Sequence, residues 1–60
     1  METENVKMTT FYDVDAAVEE AEFRAQMEGQ SMAICAWIAG YSVAPESRAP
    51  KAKILEIVRA

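Results

Sequence analysis

The feature that most constrains this chain is one apolar stretch, residues 31–45. It carries no charged side chain and holds the sequence's only tryptophan, Trp37, and its only cysteine, Cys35. The whole chain has 60 residues, and a chain this short buries only about 60% of the surface that its unfolded form exposes. The core must therefore form around this stretch.

As an extended strand, residues 31–38 present apolar side chains on both faces, because successive residues of a strand point to opposite sides. Met32, Ile34, Ala36 and Ile38 fall on one face, and Ala33, Cys35 and Trp37 on the other. Such a pattern is typical of a central strand that is covered on both sides. We expect Ala39-Gly40 to form the reversal, with Gly40 free to take a positive φ, and residues 41–45 to return as the next strand.

Residues 13–28 form the clearest helix in the sequence. Asp13 is suited to the N-cap, the helix contains strong helix formers without Gly or Pro, and Gly29 is suited to stop it. At 100° per residue the small side chains form one stripe, which suits close packing on a sheet. Phe23 and Met27 fall on nearly the opposite side, flanked by Glu19 and Glu20.

These elements predict an α+β fold of a single small domain, residues 1–60, with residues 1–8 frayed. One amphipathic helix packs on a small antiparallel sheet of three strands, at about 31–38, 41–45 and 53–58. A short strand at 8–12 would be a fourth and would give the order (β)αβββ. The predicted core is Val14, Val18, Ala21, Ile34, Trp37, Val43, Leu55 and Ile57.

An all-α alternative with a helix-turn-helix comes from the segment 29–42. It resembles the first half of a helix-turn-helix DNA-binding motif, with a small residue at Ala36 and a Gly-apolar-Ser turn at Gly40-Tyr41-Ser42. The resemblance implies a recognition helix after Ser42 and a DNA-binding transcriptional regulator. Pro45 and Pro50 interrupt that stretch, so the strand interpretation is favoured.

The chain offers few groups for catalysis or metal binding. It has no His, the usual general acid or base, and Cys35 lies in the most apolar stretch without a basic neighbour that would lower its pKa. Its carboxylates lack the spacing of an EF-hand loop. We therefore expect no enzyme activity, no cofactor and no bound metal.

The net charge of −4 argues against a nucleic-acid partner, since binding phosphates needs clustered Lys and Arg. No apolar run reaches the roughly 20 residues that a membrane helix needs. The first ten residues are acidic and polar where a secretory signal needs a basic start and an apolar run. A single unpaired Cys suits a reducing compartment, so the expected location is cytoplasmic.

By size and charge, the chain resembles small acidic accessory proteins of phages and mobile elements, which inhibit larger proteins such as nucleic-acid-processing complexes. We expect a protein-protein interaction protein, an inhibitor or regulator that covers a basic or mixed groove on a larger protein. The candidate partner-binding residues are Asp15, Glu19, Glu20, Glu22, Phe23, Met27 and Tyr41. Apolar residues on the reverse sheet face favour a homodimer, and a structural subunit of a larger assembly is a further alternative.

Overall fold

The computed structural model describes residues 10–60 and confirms the α+β fold: one helix packs on a three-stranded antiparallel sheet. The helix α1 spans Val14–Glu28, and the strands are β1 at Met32–Trp37, β2 at Gly40–Pro45 and β3 at Ile54–Val58. Two short 3-10 turns, Glu46–Arg48 and Lys51–Lys53, lie between β2 and β3. The predicted frayed start falls outside the described residues. Of the predicted strand at 8–12, Phe11 forms an isolated antiparallel bridge with Tyr41.

Strand β1 lies in the middle of the sheet, which has the order β2-β1-β3. It pairs with β2 through a hairpin in which Ile34 lies opposite Val43 and Trp37 opposite Gly40. Its pairing with β3 shifts register between Ile34 and Cys35, which face Glu56 and Ile54, so Leu55 forms a bulge without a partner. The central position predicted for this strand is confirmed.

The first core lies between the helix and the sheet. The inner face of α1 consists of alanines, and Ala17, Ala21 and Ala25 are all buried. They pack against Met32, Ile34 and Val43 of the sheet, with Phe11, Val18, Tyr41 and Val58 around them. Because an alanine side chain is one methyl group, this face lets the helix lie close to the strands.

The second core lies on the reverse face of the sheet, where the chain supplies its own cover. Residues 46–53, here named the covering loop, place the buried Ala49 against Ala33 and Cys35 of β1. Ala44, Ile54 and Ile57 complete this cluster. Burial of Ala33 and Cys35 therefore needs no second copy of the chain, although the sequence pattern on this face favoured a homodimer.

The outer edge of β2 is closed by contacts within the chain. The backbone N–H and C=O of Tyr41 exchange hydrogen bonds of 2.7 and 2.8 Å with Phe11. The Arg24 guanidinium donates to the Val43 carbonyl at 3.3 Å. Pro45 ends the strand and has no N–H to donate. These contacts occupy most of the groups that an incoming strand would need.

The hairpin reverses one residue earlier than predicted. Ile38 and Ala39 form the turn, and Ala39 rather than Gly40 has the positive φ, at 55°. Gly40 begins β2, where the Phe11 backbone approaches it closely. A Cβ at this position would lie 2.5 Å from the Phe11 carbonyl oxygen. The glycine thus makes room for the bridge between Phe11 and Tyr41.

The helix-turn-helix alternative is wrong. Residues 32–42, which it needed as helix and turn, form β1, the hairpin turn and the start of β2, and residues 32–35 of β1 are buried on both faces of the sheet. Pro50 precedes only the 3-10 turn Lys51–Lys53 before the chain enters β3. Among the residues that the structure describes, no helix is long and apolar enough to cross a membrane.

Three residues of the predicted core are exposed instead. Val14 is the first residue of α1, one turn before the contact at Ala17, and is 42% exposed. Leu55 is the bulged residue of β3 and is 58% exposed. Trp37 lies at the hairpin end of β1 and is 37% exposed. Ala49 of the covering loop packs on Ala33 and Cys35 but does not extend as far as Trp37.

Replacing Ala39 with Gly is expected to stabilise the fold. A non-glycine residue in the left-handed region destabilises the folded state by about 1–2 kcal/mol, and glycine avoids this strain. Glycine also has a larger conformational entropy in the unfolded chain, which offsets about 0.5–1 kcal/mol of that stabilisation. The expected net gain is about 0.5–1 kcal/mol, measured as a rise in Tm of a few degrees. A fall in Tm would contradict the conformation given for this turn.

Replacing Gly40 with Ala is expected to destabilise the fold by about 1–3 kcal/mol through overpacking against the Phe11 carbonyl. Gly29→Ala is the control, since nothing lies within 4 Å of a Cβ there and only its φ of 67° is unfavourable. Amide hydrogen exchange separates the two variants. Gly40→Ala should remove the protection of the Phe11 and Tyr41 amides, whereas Gly29→Ala should leave it in place.

Candidate functional site

The strongest candidate for a binding site is the solvent-facing side of α1. We name this the outer α1 surface and define it by six of the predicted partner-binding residues: Asp15, Glu19, Glu20, Glu22, Phe23 and Met27. All are exposed except Glu20, which is half-buried. The structure therefore brings these six residues together on one helix. Phe23 is 61% exposed and Met27 70% exposed, which are high values for such large apolar side chains.

The alanine face explains why these two side chains point to solvent. The helix makes its contact with the sheet through Ala17, Ala21 and Ala25, which are spaced four residues apart. Phe23 and Met27 are also four residues apart, but they are rotated to the other side of the helix. They form an apolar pair one turn apart, with Glu19 one turn before Phe23 in the same row.

Both ends of the helix are fixed by local hydrogen bonds. At the N-terminus the Asp13 carboxylate accepts a hydrogen bond of 3.2 Å from the Asp15 N–H, as an N-cap does. At the C-terminus Gly29 takes a left-handed conformation and donates its N–H to the Ala25 carbonyl at 2.9 Å. The outer α1 surface is thus presented on a preformed, capped helix.

The single cation of the helix does not neutralise this surface. Within residues 10–60 the one ion pair joins Arg24 to Glu28, with Nε 3.2 Å from Oε2, and the guanidinium also reaches the Val43 carbonyl. Hydrogen bonds from the Gln30 amide and then from Arg24 hold the pKa of the Glu28 carboxyl below its usual value. Arg24 is thus directed toward the edge of the sheet, while Asp15, Glu19, Glu20 and Glu22 give the outer α1 surface its negative charge.

Tyr41 lies apart from the other predicted partner-binding residues. It is half-buried on β2 and packs against the first core beneath the helix. Its backbone forms the bridge with Phe11. The structure therefore gives Tyr41 a packing role and does not place it beside Phe23.

Cys35 is buried at the centre of the second core, with 1% of its surface exposed. Burial raises the pKa of its thiol, so the reactive thiolate is disfavoured. Its nearest packing partners are apolar residues of the sheet and the covering loop. Such surroundings are those of a structural cysteine.

A second surface was missed by the sequence analysis. Ala36, Trp37, Ile38 and Lys53 line a shallow depression of about 470 Å³ beside the hairpin turn, here named the hairpin patch. Ile38 is 81% exposed, because it lies in the turn and not at the end of β1 as predicted. The signal that could have revealed it is the lack of a polar residue in the turn, where Gly, Asn and Asp are usual.

Comparison of the chain with protein-family models, with curated proteins and with solved structures gives no significant match. The two surfaces are therefore interpreted from their own geometry and charge.

The Cys35 thiol is expected to react with a disulfide reagent such as DTNB at least about 100-fold more slowly in the native protein than in the unfolded one. A local opening that costs about 3 kcal/mol leaves roughly 1% of molecules reactive. Because burial raises the thiol pKa, the native rate should lag the unfolded rate at neutral and mildly alkaline pH alike. Absorbance of the released thiolate measures both rates, and equal rates would contradict the burial.

Proposed function

We propose that this chain is a small non-enzymatic interaction protein that docks the outer α1 surface onto a basic groove of a larger protein. By covering that groove it acts as an inhibitor or regulator. The observation that carries the proposal is the exposed pair Phe23 and Met27, set among acidic side chains on a capped helix.

The apolar pair supplies the affinity in this proposal. Removing a Phe or Met side chain from water contributes roughly 1.5–3 kcal/mol, and interfaces often depend on a few such buried anchors. The helix is already formed and capped at Asp13 and Gly29, so docking does not have to order it. Only the side-chain rotamers of Phe23, Met27 and the neighbouring acids lose freedom.

The acidic side chains increase the association rate and the selectivity for a basic partner in this proposal. Negative charge around an apolar anchor accelerates encounter with a positive surface and disfavours other acidic proteins. Glu19 and Glu22 are exposed acidic side chains on the flank of Phe23. A groove lined by Lys and Arg with an apolar floor has the matching chemistry. Proteins that bind nucleic acids through such grooves are the class of target that we propose.

The proposal assigns no reaction to the chain. It is supported by the chemistry of the groups available, since the sequence has no His and its single thiol is buried among apolar residues. Within the described residues, no three Cys, Asp or Glu side chains come together as metal ligands would. The proposed action is therefore steric: the chain occupies a site and keeps the natural ligand out.

The double variant Glu19→Lys/Glu22→Lys tests this proposal. A protein captured from a lysate by the wild-type chain is purified, and its affinity for each variant is titrated at several salt concentrations. We expect the double variant to bind at least about tenfold more weakly, with a flatter dependence on salt, because two favourable charges become repulsive.

The matched control is Glu46→Lys/Glu56→Lys, which changes the net charge by the same amount at exposed positions outside α1. It should retain most of the wild-type affinity. Phe23→Ser tests the apolar anchor separately and should weaken binding without changing the salt dependence. If both double variants lost the same affinity, only the overall charge would matter and the proposed docking surface would be wrong.

A further inference from the structure

The hairpin patch combines apolar and basic groups. Trp37 and Ile38 expose apolar surface at the turn, and Lys53 lines the same depression. Lys51, two residues before Lys53 in the same 3-10 turn of the covering loop, is also exposed. Ile38, 81% exposed, and Trp37, 37% exposed, are adjacent and line one depression, and contiguous exposed apolar surface of this kind is typical of interaction sites.

Charge is segregated across the sheet. The helix, with its acidic outer α1 surface, lies on the face formed by Met32 and Ile34, whereas the covering loop lies on the opposite face, against Ala33 and Cys35. One side of the molecule is therefore acidic and the other is locally basic, although the net charge of the chain is −4. Because the sheet separates them, the two sides of one copy cannot contact each other.

We propose that the hairpin patch is a docking surface for the outer α1 surface of a second copy of this chain. The two surfaces have complementary chemistry: Phe23 and Met27 match the apolar depression, and Glu19 and Glu20 match Lys53 and the neighbouring Lys51. The contact is head-to-tail, because it joins two different surfaces. Each copy offers one of each, so copies add in series unless the rotation between them closes a ring.

The size of the molecule predicts that this association is weak. A standard interface takes about 800 Å² from each partner, which is about a fifth of the 4219 Å² surface of this chain. The hairpin patch is a shallow depression lined by four residues, so it offers less contact area than a standard interface. We expect association in the high micromolar range, weakened by salt because the contact includes exposed charges.

This inference shares the outer α1 surface with the proposed function and adds a regulatory consequence. A copy whose helix is held in the hairpin patch of a neighbour cannot present that helix to a larger protein. Self-association would therefore compete with partner binding, and dilution would release the active monomer.

The test is sedimentation velocity on the full chain from micromolar to millimolar concentration, with Trp37 fluorescence recorded on the same samples. Trp37 is the only tryptophan, so its emission reports on the hairpin patch directly. We expect the mass to rise with concentration and the emission to shift to shorter wavelength as the patch is covered. A monomeric mass over the whole range would overturn the inference.

Two blocked variants make the test specific to a head-to-tail contact. Phe23→Ser removes the anchor of the helix but keeps the patch, and Ile38→Ser alters the patch but keeps the helix. Each alone should remain monomeric, whereas an equal mixture should form dimers and nothing larger. A mixture that stayed monomeric would overturn the head-to-tail geometry. Leu55→Ser, which removes an exposed apolar side chain outside both surfaces, is the matched control and should associate as the wild type does.

Circular dichroism and thermal melting verify that each variant folds. Should a serine variant fail to fold, the milder Phe23→Ala and Ile38→Ala replace the pair, and the same pattern of mixing is required. A monomeric wild type that still binds a larger protein through α1 would overturn this inference and leave the proposed function standing. A chain that self-associates but binds no other protein would overturn the proposed function and leave this inference standing.

Discussion

The contact between the alanine face of α1 and the central strand determines how the rest of this molecule is arranged. Ala17, Ala21 and Ala25 fill the space over Met32 and Ile34 with single methyl groups. A close helix–sheet contact of this kind leaves no room for a large side chain on the inner face. The large apolar residues of the helix, Phe23 and Met27, therefore lie on the outside, where they are available for binding.

Within residues 10–60 a single helix is present to cover a sheet with two apolar faces. The helix covers one face, and the covering loop covers the other by packing Ala49 over Ala33 and Cys35. The loop is short and irregular, and its cover stops before Trp37. The exposed hairpin patch is thus a direct consequence of the limited cover that a short chain can provide.

Much of the fold could be predicted from the sequence, because the strongest signals are local. Asp13 and Gly29 mark the ends of α1, and the two apolar faces of residues 32–37 indicate a central strand. The outer α1 surface followed from helical periodicity alone.

The pattern did not reveal which side of the turn Gly40 occupies, since its role depends on the approach of Phe11, which is distant in sequence. The same error of one residue hid Ile38, and with it the hairpin patch. Leu55 was misassigned because a bulge breaks the alternation on which a strand prediction rests.

The two edges of the sheet have a consequence for how copies of this protein can meet. Phe11, Arg24 and Pro45 block the outer edge of β2, and the bulge at Leu55 with the neighbouring Lys53 interrupts the regular edge of β3. Backbone pairing, which tolerates almost any sequence and leads to fibrils, is therefore disfavoured at both ends. Contacts between copies have to be made by side chains instead. The proposed contact between copies is of this kind, and a single substitution can tune or remove it without disturbing the fold.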